Sequence, residues 1–209
     1  MSHMNNFEIR RPAAIILAAG YSSRMGATKP IVLIEGTPML VRAAQTFVNA
    51  NIGHIIVVTG FDTENVSELA AAHGMHPVYN SHFSEGMFSS VCAGIGAVPP
   101  DFDAVFVLPV DIPFVSPRTV SAMRDATRDA MRARPIVVPR YGGKAGHPPL
   151  LHRTMFDSVG GWHGPDGLKG FFRNHASDIG YVDVDDRFVL RDIDSRADLE
   201  QILMERKST

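Results

Sequence analysis

The stretch Ile15-Ile-Leu-Ala-Ala-Gly-Tyr-Ser-Ser-Arg-Met-Gly-Ala-Thr-Lys29 joins an apolar run, a glycine-bracketed polar turn and two cations. Residues 13–17 are short, apolar and rich in isoleucine, which reads as a strand buried on both faces. Gly20 and Gly26 then bracket small polar residues unsuited to a core, so the strand opens into a loop. Backbone N–H groups in a turn free of bulky side chains form a nest for anions, and Arg24 and Lys29 add the positive charge that a polyphosphate requires. The expected guest is a nucleoside triphosphate.

Outward from this stretch the chain alternates strand-like and helix-like segments. Apolar runs at 54–59, 76–79, 103–109 and 135–139 read as strands, with 31–34 a short extended piece. Helical spacing follows at 38–50, where Pro38 sits in the first turn and Leu40, Ala43, Ala44 and Phe47 face inward. Further helices are expected at 63–72, 87–97 and 117–133, a glycine-rich loop and helix at 160–175, and a last helix at 195–205. Extended pieces at 181–184 and 188–190 precede Asp192-Ile-Asp-Ser195. The alternation predicts a three-layer α/β/α sandwich around a Rossmann-like, mostly parallel sheet, with a mixed part late in the chain. One domain is expected over 13–209, after a flexible lead at 1–12 that begins with what resembles a cloning remnant, Met1-Ser-His-Met4.

Composition fits a compact enzyme: of 209 residues 45% are hydrophobic and 20% charged. A formal charge of −2 argues against non-specific nucleic-acid binding, which needs a basic face. No apolar run approaches the roughly 18–20 residues of a membrane span, and the start lacks a signal-peptide centre, so a cytoplasmic protein is expected. Cys92 is the one cysteine, excluding an internal disulfide and reading as a small buried thiol. The nine histidines show no metal-site spacing such as His-Glu-x-x-His.

Three further places carry polar chemistry. Asp111 follows the strand at 103–109 directly, and ligands of open parallel sheets sit outside the carboxyl ends of strands; it either holds a metal against a phosphate or makes a turn bond before Pro113. Ser89 and Ser90 stand in the first turn of the helix at 87–97, where they either meet a ligand at its positive end or cap it. A second glycine-rich loop, 140–149, contains Lys144 and His147, the latter a ligand contact or a structural turn residue.

Two familiar phosphate loops do not fit the opening stretch. Gly26 is followed by Ala27-Thr28-Lys29 rather than directly by lysine, so the Walker spacing fails, and Ser22 stands where the dinucleotide fingerprint needs its second glycine. What fits without a gap is Leu-Ala-Ala-Gly-x-Ser-x-Arg-Met-Gly-x-x-Lys-Pro, from Leu17 to Pro30. This resembles the signature of the MobA-like nucleotidyltransferases of molybdenum-cofactor type. The Ala-Ala-Gly form is more similar to the cytidylyltransferases (MocA-like) than to the guanylyltransferases, which usually read Ala-Gly-Gly. The resemblance extends from about residue 13 to 203. It is strongest at the first loop and weak after Leu151.

The resemblance implies a fold of the nucleotide-diphospho-sugar transferase type and transfer of a nucleoside monophosphate, CMP from CTP, to the phosphate of molybdopterin cofactor, with Mg2+ as cofactor. It implies nucleotide contacts from Leu17, Ala18, Ala19, Gly20, Ser22, Ser23, Arg24, Met25, Gly26 and Lys29, with Arg24 and Lys29 stabilising the pentavalent centre and the departing pyrophosphate. The base and ribose fall to Asn80, Gly86, Met87 and Ser90; apart from the resemblance, the turn after the strand at 54–59, with Thr59, is expected to form a small base pocket with the Ser90 region. Asp111 matches the magnesium-binding aspartate, with Asp192 or Asp194 a second metal contact, and His147, Lys144 and Lys169 lie on the acceptor side. A molybdoenzyme receiving the cofactor is the implied protein partner. The chain departs from the pattern at Asp166-Gly-Leu-Lys-Gly170, where the similar enzymes carry an arginine; either Lys169 replaces its charge or the acceptor differs. The alternatives are a MobA-like guanylyltransferase, a sugar-phosphate or head-group nucleotidyltransferase, or a non-catalytic nucleotide or cofactor binder, against which Arg24, Lys29 and Asp111 speak.

Overall fold

The computed structural model describes residues 7–21, 28–128 and 134–207. Its first strand, β1 (Pro12–Leu17), has no polar side chain because both its faces are covered. Ala14 and Ile16 point into one core, Ala13, Ile15 and Leu17 into the other. After a 3-10 turn at Lys29–Ile31, β2 (Leu33–Ile34) pairs antiparallel with β3 (Thr37–Pro38) across the tight turn at Glu35 and Gly36. The extended piece expected at 31–34 is thus half turn and half hairpin. Pro38 ends a strand and stands at the N-cap of α1 (Met39–Val48), one residue before the helix rather than in its first turn.

β4 (Ile55–Thr59), α2 (Thr63–Ala72), β5 (His76–Tyr79), α3 (Met87–Gly96), β6 (Ala104–Pro109) and α4 (Pro117–Ala126) follow where the patterning places them. The helix expected through 133 ends at Ala126. β7 (Ile136–Tyr141) leads into two short strands inside stretches read as loop or left unassigned, β8 (Lys144–Ala145) and β9 (Leu150–His152). Then come α5 (Phe156–Gly160), also unassigned from sequence, α6 (Gly167–Asn174), β10 (Ile179–Asp183) and α7 (Arg196–Lys207). The piece expected to be extended at 188–190 is a 3-10 turn, Arg187–Leu190, so Asp192 and Asp194 do not follow a strand.

The main sheet runs β10-β7-β9-β6-β1-β4-β5, with β8 on β7. β6, β1, β4 and β5 are mutually parallel, β9 enters antiparallel between β6 and β7, and β10 is parallel to β7. Residues from α1, α2, α4 and α7 form one core with one face of the sheet, and residues from α3, α5 and α6 form the other with the opposite face. This is the three-layer sandwich. β4 and β5 lie to one side of β1 and β6 to the other, so the strand order reverses at β1, and the crevice above β1 and β6 is where such sheets receive ligands.

The boundary placed at residue 12 moves toward the N-terminus. Ile9 is buried and its N–H donates to Thr127 Oγ1 at 3.2 Å, while the Arg10 and Arg11 N–H groups donate to the Asp103 carboxylate. Residues 7–12 therefore belong to the domain. Among the described residues no helix is long and apolar enough to cross a membrane.

Candidate active site

At the carboxyl ends of β1 and β6 three chain segments are stitched together by their backbones. The Val110 N–H donates to Leu17 O at 3.1 Å, fixing the turn after β6 against the end of β1. The Ile193 N–H donates to Asp111 O at 2.8 Å, and the buried Ile193 side chain anchors its segment in the first core. These two bonds bring Asp111 and Asp194 together from positions far apart in sequence.

Lys29 stands between them. Its Nζ donates to Asp111 Oδ2 at 2.8 Å and to Asp194 Oδ1 at 2.7 Å, and the lysine side chain is only 13% exposed. Burial disfavours the ammonium, but the hydrogen bonds and charges of the two carboxylates outweigh it and hold the lysine pKa above its ordinary value. Charge-assisted bonds of this length fix three functional groups in one geometry.

A cleft of about 400 Å³ opens beside this cluster. Leu17, Ala18, Ala19 and Gly20 form its floor side, and Gly86, Met87 and Ser90 bring in the first turn of α3, whose free N–H groups favour negative charge. Gly86 takes φ +102, a conformation that side chains rarely adopt, and this lets the chain turn from the 3-10 segment Phe83–Glu85 into α3. Pro109 and Val110 at the end of β6 also line it, as do Tyr21, Pro30, Phe83 and Ser84. Pro30 closes the motif that begins at Leu17, whereas the sequence pattern did not single out Tyr21, Phe83 and Ser84, whose only signal was a place within or beside the motifs.

Other candidates stand elsewhere. Asn80 is buried, its Nδ2 donating to Ser89 Oγ at 2.9 Å and to Ser90 Oγ at 3.0 Å while its Oδ1 accepts from the His82 N–H. Its amide ties the loop to α3 and does not line the cleft. Thr59 is fully buried, with its Oγ1 2.7 Å from Thr63 Oγ1. Asp192 is exposed and outside the cleft lining, whereas Asp194 is in it. Ser22, Ser23, Arg24, Met25 and Gly26 lie outside the described residues.

A second cavity of about 880 Å³ adjoins the first, sharing Leu17, Gly86, Met87 and Pro109. Its walls are mostly apolar, with Val138, Phe172, Ile179 and Tyr181, and they include His147 and Lys169. Lys144 lies on β8, exposed and outside both linings. The His147 N–H donates to Val189 O at 2.8 Å, and its buried Nδ1 has no hydrogen-bond partner among the described residues. Burial pushes the His147 pKa down, with Asp111 and Asp192 opposing through their charge, so its neutral form prevails at neutral pH. Among the described residues no three His, Cys, Asp or Glu side chains are grouped to hold a metal by themselves.

Comparison with known proteins agrees with this geometry. Residues 14–179 match the family model described as the MobA-like NTP transferase domain. The chain is 32% identical over 120 residues to the bifunctional protein GlmU of Agrobacterium fabrum, a match covering 56% of this chain and 26% of that protein. It is 34% identical over 137 residues to the 2-C-methyl-D-erythritol 4-phosphate cytidylyltransferase of Streptomyces avermitilis, covering 62% of this chain and 53% of that protein. These matches span from about a quarter to about half the length of the relatives. Among solved structures, Rv0371c from Mycobacterium tuberculosis superposes with a TM-score of 0.79 at 23% identity, covering 94% of this chain and 99% of that one, which establishes the fold.

Proposed function

This chain belongs to the MobA-like NTP transferase family, and from that premise we propose that it transfers CMP from CTP to the phosphate of molybdopterin cofactor, releasing pyrophosphate. The observation that carries the reading is Lys29 between Asp111 and Asp194 in a cleft at the reversal of strand order. Cytidine is favoured by the Ala18-Ala19-Gly20 form of the loop and by the similarity to a cytidylyltransferase. The larger, mostly apolar cavity next to the cleft suits an acceptor with a bulky body, and Lys169 supplies a cation to its phosphate.

An acceptor phosphate oxygen attacks the α-phosphorus, a pentavalent centre forms, and the bond to the bridging oxygen of the leaving pyrophosphate breaks. Two polyanions meet in this step, so the protein's task is to neutralise charge and align the groups rather than to supply a nucleophile. Lys29 turns its ammonium toward the phosphates as charge moves onto pyrophosphate, and the N-terminal turn of α3 adds N–H donors. The donor set beside it is all oxygen, two carboxylates both within 2.8 Å of one cationic nitrogen, which fits a hard divalent ion that completes its shell with water and phosphate. Asp111 and Asp194 would hold magnesium, which when bound shields the phosphate charge. The product cofactor would then pass to a molybdoenzyme.

The test is incubation with magnesium and each of the four nucleoside triphosphates, with molybdopterin cofactor, a sugar phosphate or a head-group phosphate as acceptor, following pyrophosphate release. CTP with molybdopterin is expected to turn over fastest. Faster release from GTP would replace the cytidylyl reading by a guanylyl one, and no release with any pair would remove the enzymatic reading.

A further inference from the structure

Three aromatic rings converge where β1, β4 and β5 end. Tyr21 stands in the loop after β1, Phe61 follows β4, and Phe83 opens the 3-10 turn after β5. The Tyr21 ring lies 5.0 Å from that of Phe61 and 5.5 Å from that of Phe83, at interplanar angles of 51° and 55°. The backbone is shaped to bring them there. The Phe61 N–H donates to Ala19 O at 3.2 Å, tying the loop after β4 to the loop after β1. At Gly60 an added Cβ would stand 2.7 Å from both Ala19 O and Phe83 Cβ, so only glycine lets Phe83 close against that loop.

This cluster is not buried. Tyr21 is 54% exposed and Phe61 55%, although large apolar rings brought together in a fold ordinarily cover one another from water. Tyr21 and Phe83 line the same cleft as Lys29, Asp111 and Asp194. The order of the strands keeps the two groups apart: Asp111 follows β6 on one side of β1, while Phe61 and Phe83 follow β4 and β5 on the other. One cleft therefore offers a charged region and an aromatic region, the two chemistries of a nucleotide's phosphates and base.

We propose that the exposed face of Tyr21, buttressed by Phe61 and Phe83, is the platform on which the substrate's nucleobase stacks. This rests on the reading of the cleft as a nucleoside triphosphate site. Every base presents a π-face, so stacking adds affinity without choosing among bases. Tyr21 is thus a positioning residue: with the base held against it, the α-phosphate is set at a fixed distance from Lys29, and the choice of base falls to polar groups at the base edge. Its place in the motif, between Gly20 and Ser22, is one where the pattern accepts any residue.

The test is calorimetric titration, without acceptor, of each of the four nucleoside triphosphates and of inorganic tripolyphosphate into the parent, Tyr21→Phe, Tyr21→Leu and Tyr21→Ala proteins. Tyr21→Phe is expected to bind as the parent does. Tyr21→Ala and Tyr21→Leu, the second keeping apolar bulk without a π-face, are expected to lose about tenfold in affinity for all four nucleotides and to bind tripolyphosphate unchanged. Nucleotide affinity within about twofold of the parent in Tyr21→Leu, or an equal loss for tripolyphosphate, overturns the platform while leaving the triphosphate site standing. A parent that binds tripolyphosphate but no nucleoside triphosphate overturns both.

Discussion

Lys29 is where the charge of the site is balanced, since one ammonium serves two carboxylates that would otherwise repel each other. Replacing it with methionine keeps the stem's packing and removes the charge. Turnover is expected to fall by roughly 10²–10³, the usual cost of losing one preorganised electrostatic group, with nucleotide affinity reduced less. Turnover within about threefold of the parent would make Lys29 a bystander. The same variant carries a pH signature. The Lys29 pKa is raised in the folded state, so its stabilisation is complete below the ordinary lysine value, about 10.4, and is lost as the pH rises through the folded value. The parent should therefore lose more stability than Lys29→Met on passing from about pH 9.5 to 11.5. At this scale the sequence was legible where chemistry and position coincide: Asp111 stands just after the apolar strand β6, and Lys29 ends the polar, glycine-bracketed stretch that follows β1 in sequence. It could not decide between Asp192 and Asp194, which share one short polar run. The backbone bond from Ile193 to Asp111 sends Asp194 to Lys29 and leaves Asp192 exposed, and no local pattern encodes that long-range tie.

The elements that patterning placed well are those buried on both faces, such as β1 and β6, whose side chains are all apolar or nearly so, and helices with one clear apolar stripe, such as α1. β9 was missed because three residues give no period, and its neighbours Pro148 and Pro149 suggest a turn; it exists because it pairs on both sides, with β6 and β7. α7 is the reverse case, a helix legible from its cap. Ser195 Oγ accepts from the Asp198 N–H at 3.2 Å, and Asp198 Oδ2 accepts from the N–H groups of Ser195 and Asp194 at 2.7 and 3.2 Å, a reciprocal cap. This cap holds the backbone of the residue that meets Lys29, so helix stability and site geometry are joined. Ser195→Ala should cost about 1 kcal/mol of unfolding free energy in denaturant titration and also lower turnover several-fold. Loss of stability with turnover unchanged would show that the cap does not position Asp194 for turnover.

For the molecule as a whole, acid sensitivity is set by histidines that the fold keeps neutral. Burial pushes down the pKa of His54, His147 and His152, and the neighbouring His76 adds to the effect at His54, whose ring stacks 4.4 Å from that of His76 and 4.5 Å from Phe102. These groups are spread over the sheet, at the start of β4, in the loop before β9 and at the end of β9. Each binds its proton more readily when unfolded. Their stabilisation is therefore complete above the ordinary histidine value, about 6.5, and is lost as the pH falls from there toward the folded values. The carboxylates act in a different window. The Asp198 pKa is lowered chiefly by the Ser195 hydroxyl bond and that of Asp183 by its bond from Arg140, so their stabilisation persists until the pH falls through and below the ordinary aspartate value, about 3.9. Of these groups, only the histidines lie in the window between about pH 6.5 and 5. The ligand-free protein should lose stability steadily over that interval, with His147 alone contributing at most about 1.4 kcal/mol per pH unit, because one proton is the most it can take up on unfolding. Thermal unfolding midpoints at pH 7.5, 6.5, 5.5 and 5 measure this. A flat midpoint from 7.5 to 5 would mean that these histidines bind protons as readily in the folded state as in the unfolded one, and so that burial does not keep them neutral.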